Sequence, residues 1–422
     1  VYNPNDKKAV ISEVKVGAGA SSLFRLNVNG KSGYIHNDIE LRANDSLWVF
    51  VEVTVDPGSA SVPFLVEDYL QFTTNGVNQR VVLNAYGKNA IFHKPLVGEK
   101  DVILSCNEVW NSSVAHVIFG NAVVDSNCTL TIEQGTEVYF HPEAKLTVKS
   151  GSSLKISGSK DLPVIFEGDR LEPWYENVPG QWGGVILEEG SIDHVVSFLK
   201  LKNAQTGVVS SGTTSVASVC LAISNSSIVN CLYQGLVLNA TSAKLEGVLV
   251  GNCGSNTLLI QSGGPYEFTH CTFANYVPAT DNGTTNESVL IKNWMLLDNV
   301  IVPGNLSQCD FKNSILYGSL EDAVVFNDQG TTYNYSFSNC ILKERTKGAD
   351  SPTSYTSCIW NADPKFVSSV DLDFNLLEGS SAINAGDDAI VISNLLGLEF
   401  DLNGISRLLD LAPDAGVFEY SN

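Results

Sequence analysis

The sequence predicts an all-β chain in two parts, a β-sandwich in residues 1–95 and a solenoid of short strands in residues 96–422. Three observations indicate this fold class. Residues 1–95 alternate apolar and polar side chains in short runs, as half-buried strands do. Residues 96–422 contain apolar triplets that recur after 22 to 26 residues, which is typical of a solenoid. The 3.6-residue period of an amphipathic helix is absent from both parts.

The first part reads as strands separated by turn sequences. Its clearest alternating runs are LFRLNVNG (23–30), DSLWVFVEVTVDP (45–57) and QRVVLNAYG (79–87). Asn-Gly at 29–30 and 75–76 and Pro-Gly at 57–58 are turn sequences, because glycine tolerates a positive φ. About seven strands in this length predict a sandwich of the immunoglobulin type.

The second part repeats strand-sized pieces at a measurable offset. The repeats are IVNC (228–231) with VGNC (250–253), LVL (236–238) with LLI (258–260), and FKNSIL (311–316) with FSNCIL (337–342). We expect each coil to contribute three short strands whose inward side chains are buried by the neighbouring coils. Asn230, Asn252, Asn313 and Asn339 recur beside these triplets, and we expect them to form turn ladders rather than a binding site.

The nine cysteines allow two interpretations. Their odd number leaves at least one thiol outside any complete intramolecular pairing. Cys106 and Cys128 are 22 residues apart, as are Cys231 and Cys253, which suggests the coil period more than a disulfide pattern. We expect thiols stacked in a narrow core, with one or more disulfides as the alternative. No CxxC motif is present and histidine is scarce, so a zinc site has no support.

The two parts of the chain differ in net charge, and this difference disfavours some classes of binding partner. The formal net charge is −21, yet residues 1–95 carry nine basic and nine acidic residues, so residues 96–422 hold the whole excess. This asymmetry argues against nucleic acid and anionic membranes, which bind clustered lysine and arginine. The excess fits a solubility charge or a cation-binding surface.

No apolar run is long enough to span a bilayer as a helix, and the start of the chain lacks the layout of a signal peptide.

The chain resembles a group of Bacteroidetes surface lipoproteins. FRLNVNG, DIELRANDSLWVFVEVTVDP and QRVVLNAYGKNA, in this order, resemble the Hydin-type immunoglobulin-like module of that group. LTIEQGTEVYFHPEAKLTVKSGSSLKISGSKDLPVIFEGDR followed by GQWGGVIL resembles the opening coils of its right-handed parallel, pectin-lyase-like β-helices, and SSAINAG, FDLNGISR and PDAGVFEY resemble its closing pattern. The resemblance implies a sandwich, a right-handed parallel β-helix and an irregular C-terminal cap in residues 370–422. It also implies cell-surface or extracellular display, with a lipid anchor outside this chain, but no known activity.

The motifs of pectin-active enzymes are missing. A pectate-lyase-like site needs clustered carboxylates for Ca²⁺ and a nearby basic residue. Between residues 203 and 340 the basic residues are Lys244, Lys292 and Lys312 alone. The polygalacturonase-like set is absent too, since Asp-Asp occurs only at 387–388 and no Gly-His-Gly exists. These absences favour a protein that is not an enzyme and needs no cofactor, and they give a Ca²⁺ site no support.

One loop, residues 168–182 (the Trp174 loop), concentrates aromatic and charged side chains. Its candidate ligand-binding residues are Asp169, Arg170, Glu172, Trp174, Tyr175, Glu176 and Trp182. Aromatic faces bind sugar rings, and arginine or carboxylates fix hydroxyl groups. Glu172 and Glu176 could instead act as an acid–base pair. A purely structural loop, with Trp182 packing the first large coil, is the third interpretation.

Other residues carry weaker signals. His194 and His270 have no second ligand at metal spacing, so we expect ordinary core or surface histidines. Asp401 and the following Leu-Asn-Gly read as a turn rather than a calcium loop. Glu188 and Glu189 read as solvated, and residues 279–288 read as a surface insertion.

Three functions therefore remain open. The first is a cell-surface or secreted protein that engages polysaccharide through the Trp174 loop. The second is a polysaccharide lyase or glycoside hydrolase with a site that lacks the known motifs. The third is a structural or adhesin-like rod that binds protein, which an exposed apolar strip along one face would favour.

Overall fold

The computed structural model describes residues 1–54, 65–86, 89–212, 219–278, 286–346 and 354–421. The predicted Pro-Gly turn at 57–58 and most of the predicted insertion at 279–288 lie outside these ranges. The chain divides into two units, Val1–Asn89 and Ala90–Asn422, and the boundary predicted from the sequence lies after residue 95. The described residues are all-β, as predicted, apart from short helical turns.

The first unit is an antiparallel, immunoglobulin-like sandwich. One sheet contains, in spatial order, Ile35–Leu41, Ala9–Val16, Leu65–Thr74 and Val77–Tyr86. The other contains Lys31–Gly33, Phe24–Val28 and Val49–Val53. A 3-10 turn covers Gly19–Ser21. Val14, Val16 and Leu26 form part of the buried core between the sheets.

Both Asn-Gly pairs of this unit form the hairpin turns that the sequence predicts. Asn75 and Gly76 have φ values of 51° and 76° and join two ten-residue strands. Two consecutive residues with positive φ match the right-handed twist of a β-ribbon, so the turn fixes the register of the strands. Asn29 and Gly30 adopt the same conformation, with φ values of 51° and 79°.

The second unit is a right-handed parallel β-helix whose coils pass in turn through three parallel sheets, here named A, B and C. Sheet A contains Ala90–His93, Ala115–Ile118, Glu137–Phe140, Val164–Gly168, Leu199–Lys202, Ser227–Val229, Leu249–Gly251, Thr272–Asn275, Ile315–Gly318, Ile341–Leu342 and Ile359–Trp360. Sheet B contains Asp101–Ile103, Asn121–Val124, Lys145–Val148, Gly184–Leu187, Val208–Ser211, Leu236–Asn239, Leu258–Gln261, Val289–Lys292 and Val324–Asn327. Sheet C contains Val109–Trp110, Thr129–Glu133, Ser153–Ser157, His194–Ser197, Leu221–Ser224, Ala243–Glu246, Pro265–Thr269, Gln308–Lys312, Ser336–Ser338 and Tyr355–Thr356.

Equivalent side chains stack along the core because the sheets pair in register. Phe268 and Phe311 have ring centroids 4.5 Å apart, Phe311 and Phe337 4.9 Å, and Phe337 and Tyr355 5.1 Å. These distances follow the strand spacing of about 4.8 Å in a parallel sheet. Each coil must therefore offer its neighbour a similar inward volume, which explains the recurring apolar triplets in the sequence.

The four predicted ladder asparagines all lie at turns. Asn230, Asn252, Asn313 and Asn339 have φ values of 57°, 47°, 47° and 55°. Asn230 donates its amide to the side-chain oxygen of Asn203 one coil away, at 2.7 Å, as a ladder requires. Asn252 instead bonds to Ser369, so its turn anchors the C-terminal segment. Asparagine suits these corners because its short polar side chain tolerates the left-handed conformation.

The cysteines include both a disulfide and buried free thiols, so each of the two interpretations applies to part of them. Cys106 and Cys128 form a disulfide, which joins the first two coils. The other seven thiols are free, and Cys231 and Cys253, although also 22 residues apart, lie together in the core without forming a disulfide. Burial raises the pKa of the Cys271 thiol to about 12. Buried thiols of this kind pack as small apolar groups and stay protonated.

The C-terminal cap folds along the side of the β-helix. It contains the antiparallel pair Phe366–Ser368 and Asp373–Leu376 and the short helices Asp388–Ser393 and Leu395–Leu398. Phe374 and Val417 pack on the outward face of sheet A at Leu249 and Ala274. Together with the contacts of Leu376 and Ala382 at Ile315 and Ile341, the predicted cap covers several coils of sheet A from the side. The cap thus buries apolar residues that would otherwise face water.

A buried ionic cluster, the C-terminal clasp, closes the cap. The clasp consists of Asp401, Arg407, Asp414 and Glu419. Arg407 lies 2.7 Å from Glu419 and also donates to the carbonyl groups of residues 416 and 417. Burial raises the pKa of Glu419, and the neighbouring guanidinium opposes this effect. Asp401 accepts the backbone N–H of Ile405, so the residues read as a turn in the sequence do form one.

Two histidines fill the core of the first coils. His93 Nε2 and His116 Nδ1 lie 2.9 Å apart, and the Trp110 ring stacks on His116 at 4.3 Å. Burial, reinforced by His93, lowers the pKa of His116 to about 4. The folded state therefore holds this imidazole neutral across the neutral and mildly acidic range.

An exposed hairpin is inserted between sheets B and C. Trp294–Leu297 pairs with Val300–Pro303 across the turn at Asp298 and Asn299.

In the described ranges no helix has the length and apolar character needed to cross a membrane.

We expect removal of the clasp arginine to destabilise the protein strongly. Arg407→Ala leaves buried carboxylates and carbonyl groups unpaired, so unfolding free energy should fall by about 3–5 kcal/mol. Arg345→Ala is the matched control, because Arg345 forms exposed ion pairs with Glu321 and Asp322 that are worth about 0–1 kcal/mol. Urea titration of both variants measures the difference. Equal losses would contradict the role given to the clasp.

We expect the histidine pair to make the protein sensitive to acid. The pKa of His116 is lower in the folded state than in the unfolded state, so stability is complete above about pH 6.5 and falls as the pH drops toward 4. The loss is up to about 3 kcal/mol. His116→Gln should flatten the difference between urea midpoints at pH 7.5 and 4.5, whereas His36→Gln, in the sandwich, should not. An unchanged pH slope in His116→Gln would contradict this origin.

Candidate functional site

The Trp174 loop bulges from the corner between sheets A and B. At this corner the two preceding coils turn within a few residues, between Ile118 and Asn121 and between Phe140 and Lys145. The next coil instead inserts the loop between Val164–Gly168 and Gly184–Leu187. A corner can take such an insertion because it interrupts no strand pairing on either side.

Arg170 organises the first half of the loop. Its guanidinium donates to both carboxylate oxygens of Glu172 at 2.8–3.1 Å. The same group lies over the Tyr175 ring, 4.1 Å from its centroid. The hydrogen bonds from Arg170 lower the pKa of Glu172, so this carboxylate stays ionised and engaged. The ion pair and the cation–π contact together hold the 3-10 turn Pro173–Tyr175.

Two amide side chains fix the second half of the loop. Gln181 donates to the carbonyl groups of Tyr175 and Val178, at 2.6 and 2.9 Å. Asn203, from the next coil, donates to the carbonyl of Glu176 at 2.8 Å. These bonds satisfy loop carbonyl groups that no strand pairs. The loop is therefore held in one conformation by its own side chains and by the coil beneath it.

The loop holds Trp174 in solvent. The Trp174 side chain is 68% exposed, and its ring lies 6.4 Å from that of Tyr175 at an angle of 49°. An indole kept in water on a fixed loop offers a large apolar face to a ligand. The Glu176 side chain is also exposed, whereas Glu172 is committed to Arg170. The loop thus brings Trp174 together with four other predicted residues, Arg170, Glu172, Tyr175 and Glu176.

The structure corrects the predicted site at Trp182. It is fully buried, stacks on Phe140 with ring centroids 4.0 Å apart, and donates its indole N–H to the carbonyl of Lys202. A side chain with no exposed surface cannot contact a ligand, so we remove Trp182 from the candidate residues. Its role is the structural one that the sequence also allowed, because it fills the core where the loop leaves the coil.

Asp169 belongs to a different arrangement that the sequence analysis missed. Its Oδ2 lies 2.7 Å from Nδ1 of His141, which occupies the equivalent position one coil earlier. The next equivalent positions are Phe119, whose ring lies 4.5 Å from His141, and Lys94, which lies over Phe119 at 4.6 Å. These four residues form the corner row. Each directly follows a strand of sheet A, and that shared position is the sequence signal that could have identified the row.

The weaker candidates have structural roles. His194 is buried, bonds to Ser191 at 3.0 Å, and has its pKa lowered to about 4 by burial. His270 is buried beside Asn313 at 2.9 Å. Glu188 and Glu189 are exposed, as expected. Within the described ranges no three His, Cys, Asp or Glu side chains form a group that could hold a metal ion.

Comparison with known proteins identifies one similarity. Residues 102–210 match the family model described as a pectate-lyase like beta helix domain. The match includes the Trp174 loop and most of the corner row, but covers less than half of the chain. A search of curated proteins and a search of solved structures found no significant match.

We expect Gln181 to control the order of the loop. Gln181→Ala removes two hydrogen bonds to the loop backbone, each worth about 1 kcal/mol, so backbone amides of residues 172–178 should exchange roughly 10-fold or more faster with solvent. Gln205→Ala is the control, because Gln205 bonds an exposed carboxylate, Glu143, outside the loop. Unchanged exchange in the loop of Gln181→Ala would show that other contacts determine its conformation.

Proposed function

We propose that this protein is an extracellular β-helix protein that binds polysaccharide through the Trp174 loop. The observation that carries the proposal is the solvent-exposed Trp174, held on a loop that Arg170, Gln181 and Asn203 fix in place. The similarity of residues 102–210 to a pectate-lyase like domain supports a polysaccharide as the partner.

The physical argument is preorganisation. A sugar ring presents an apolar face of C–H groups, which packs against an aromatic ring. Because the loop is already ordered, binding costs little further conformational entropy. Tyr175 lies behind Trp174 and is covered on one side by Arg170, so Trp174 is the primary contact surface. Glu176 and the edge of the Arg170–Glu172 pair remain available to hydroxyl groups.

Display outside the cell is part of the proposal. The Cys106–Cys128 disulfide supports an oxidising compartment, because such bonds are rare in reducing cytoplasm. The resemblance to Bacteroidetes surface lipoproteins with a Hydin-type module supports an anchored surface protein. The sandwich would then space the β-helix from its anchor. We propose no metal or other cofactor for binding.

The arrangement argues against cleavage of the polysaccharide main chain by the loop. Glycoside hydrolysis uses two carboxyl groups on opposite sides of the bond. Glu172 is held by Arg170 and Asp169 by His141, so Glu176 has no second unpaired carboxylate beside it in the loop. β-Elimination needs a cation free to neutralise a uronate, and Arg170 is already paired. The bound polymer should therefore keep its length.

An exposed apolar hairpin favours protein binding as the second candidate function. Leu296, Leu297 and Val300 on the hairpin Trp294–Leu297 and Val300–Pro303 are 57–62% exposed. Clustered apolar side chains of this kind often mark interaction surfaces. If no polysaccharide is retained, this hairpin becomes the surface to test, with Leu297→Asp as the first variant.

We expect Trp174→Ala to weaken polysaccharide binding about 10-fold or more, because loss of one aromatic stacking face removes roughly 1–3 kcal/mol. Affinity electrophoresis on gels that contain xylan, pectin, glucan or chondroitin measures retention. Trp48→Ala is the matched control, since Trp48 is 76% exposed in the sandwich and also removes one indole. Equal retention of Trp174→Ala and wild type on every polymer that binds would refute the proposal.

A further inference from the structure

We infer that His141 and Asp169 form a general-base pair that hydrolyses ester substituents, such as acetyl groups, on a polysaccharide bound at the neighbouring loop. This inference rests on the proposed function for the delivery of substrate. The pair itself stands on its own geometry. The pair is part of the corner row and matches neither the pectate-lyase-like nor the polygalacturonase-like motifs.

The coil structure holds the two side chains against each other. The backbone N–H of Asp169 donates to the carbonyl of Phe140 at 2.9 Å, so Asp169 lies one strand spacing from His141. Asp169 Oδ2 and His141 Nδ1 are 2.7 Å apart. The Phe119 ring packs against the imidazole from the preceding coil. The backbone hydrogen bond at the end of sheet A therefore sets the relative position of the acid and the base.

The hydrogen bond selects the reactive nitrogen. An ionised carboxylate accepts only, so Asp169 fixes the proton of the neutral imidazole on Nδ1. Nε2 then carries the lone pair, and it has no partner in the part of the chain that the structure describes. The His141 side chain is 48% exposed and Asp169 is 19% exposed, so the base faces solvent while its orienting carboxylate is mostly covered. This is the order in which a base and its orienting group are arranged in hydrolytic enzymes.

The chemistry favours an ester over a glycosidic bond. Cleavage of the main chain needs a second carboxyl group or a free cation, and the adjoining Arg170–Glu172 pair supplies neither. Hydrolysis of an ester needs one base and one water molecule. Asp169 precedes Arg170 directly in the chain, so the base adjoins the loop on which Trp174 would hold a sugar ring. Substituents of that polymer would be the groups within reach.

Water is the only co-reactant that the hydrolysis needs. His141 Nε2 takes a proton from a water molecule while the water oxygen forms a bond to the ester carbonyl carbon. The tetrahedral intermediate then breaks its bond to the sugar oxygen, and the imidazolium returns the proton to that oxygen. The products are a carboxylic acid and a free sugar hydroxyl group. Asp169 stabilises the imidazolium that exists between the two steps.

A single positioned base sets a modest rate. General-base catalysis contributes on the order of 10²–10⁴-fold. The expected activity is therefore slow, and its dependence on His141 falls within that range. Asp169 acts through His141 and is a positioning residue, so its loss should alter the pH dependence as well as the rate.

The test follows acetate release from acetylated xylan and hydrolysis of 4-nitrophenyl acetate by the full chain. We expect the wild type to act on both, with a loss of roughly 100-fold or more in His141→Ala. Asp169→Asn should lower the rate and shift the pH–rate profile, and it provides a second variant should His141→Ala fold poorly. His36→Ala, in the sandwich, is the matched control and should keep the wild-type rate.

The outcomes separate the two proposals. Absence of hydrolysis of both substrates by the wild type, or a normal rate in His141→Ala and Asp169→Asn, overturns the general-base pair. If that wild type is still retained on xylan through Trp174, polysaccharide binding stands without the activity. If His141→Ala loses hydrolysis of 4-nitrophenyl acetate although no polymer is retained, the base stands and the binding proposal fails.

Discussion

The in-register pairing of successive coils is the constraint on which the rest of the structure depends. Every strand in sheets A, B and C must present its hydrogen-bonding groups to the next coil at the same height. Inward side chains are then stacked at one strand spacing, so the core becomes columns of similar groups, such as Phe268, Phe311 and Phe337. The same rule places outward side chains in rows, and the row of Lys94, Phe119, His141 and Asp169 is one consequence.

The constraint also decides where the chain can vary. A strand cannot lengthen without disturbing two neighbours, but a corner can take an insertion at little cost to the pairing. The Trp174 loop and the exposed hairpin at Trp294 are both insertions at corners. The candidate site therefore has two parts. His141 and Asp169 are held at the end of sheet A, and the Trp174 loop is held by its own hydrogen bonds. The proposed polysaccharide binding would use the loop, and the proposed base catalysis would use His141 and Asp169.

Much of the fold can be predicted from the sequence, because the period at which apolar residues recur shows which side chains are buried. The alternating runs before residue 95 and the repeated triplets after it predict the two units, and the turn asparagines follow from their position beside the triplets. Contacts between coils are harder to predict, since insertions change the sequence distance between equivalent positions. His141 and Asp169 are neighbours although 28 residues apart. Equal spacing is no better a guide, because Cys106 and Cys128 form a disulfide whereas Cys231 and Cys253 remain free thiols. Trp182 shows the same limit, since nothing in its local sequence distinguishes an indole in the core from the exposed one at Trp174.

The most direct test of the account is a hydrogen-exchange footprint of the whole protein with and without a polysaccharide that it retains. If the corner between sheets A and B is the binding surface, added protection should be confined to residues 169–181 and the adjoining backbone at Phe119 and His141. Protection centred on the hairpin at Trp294 or on the outward face of the sandwich, with the Trp174 loop unchanged, would contradict the central claim.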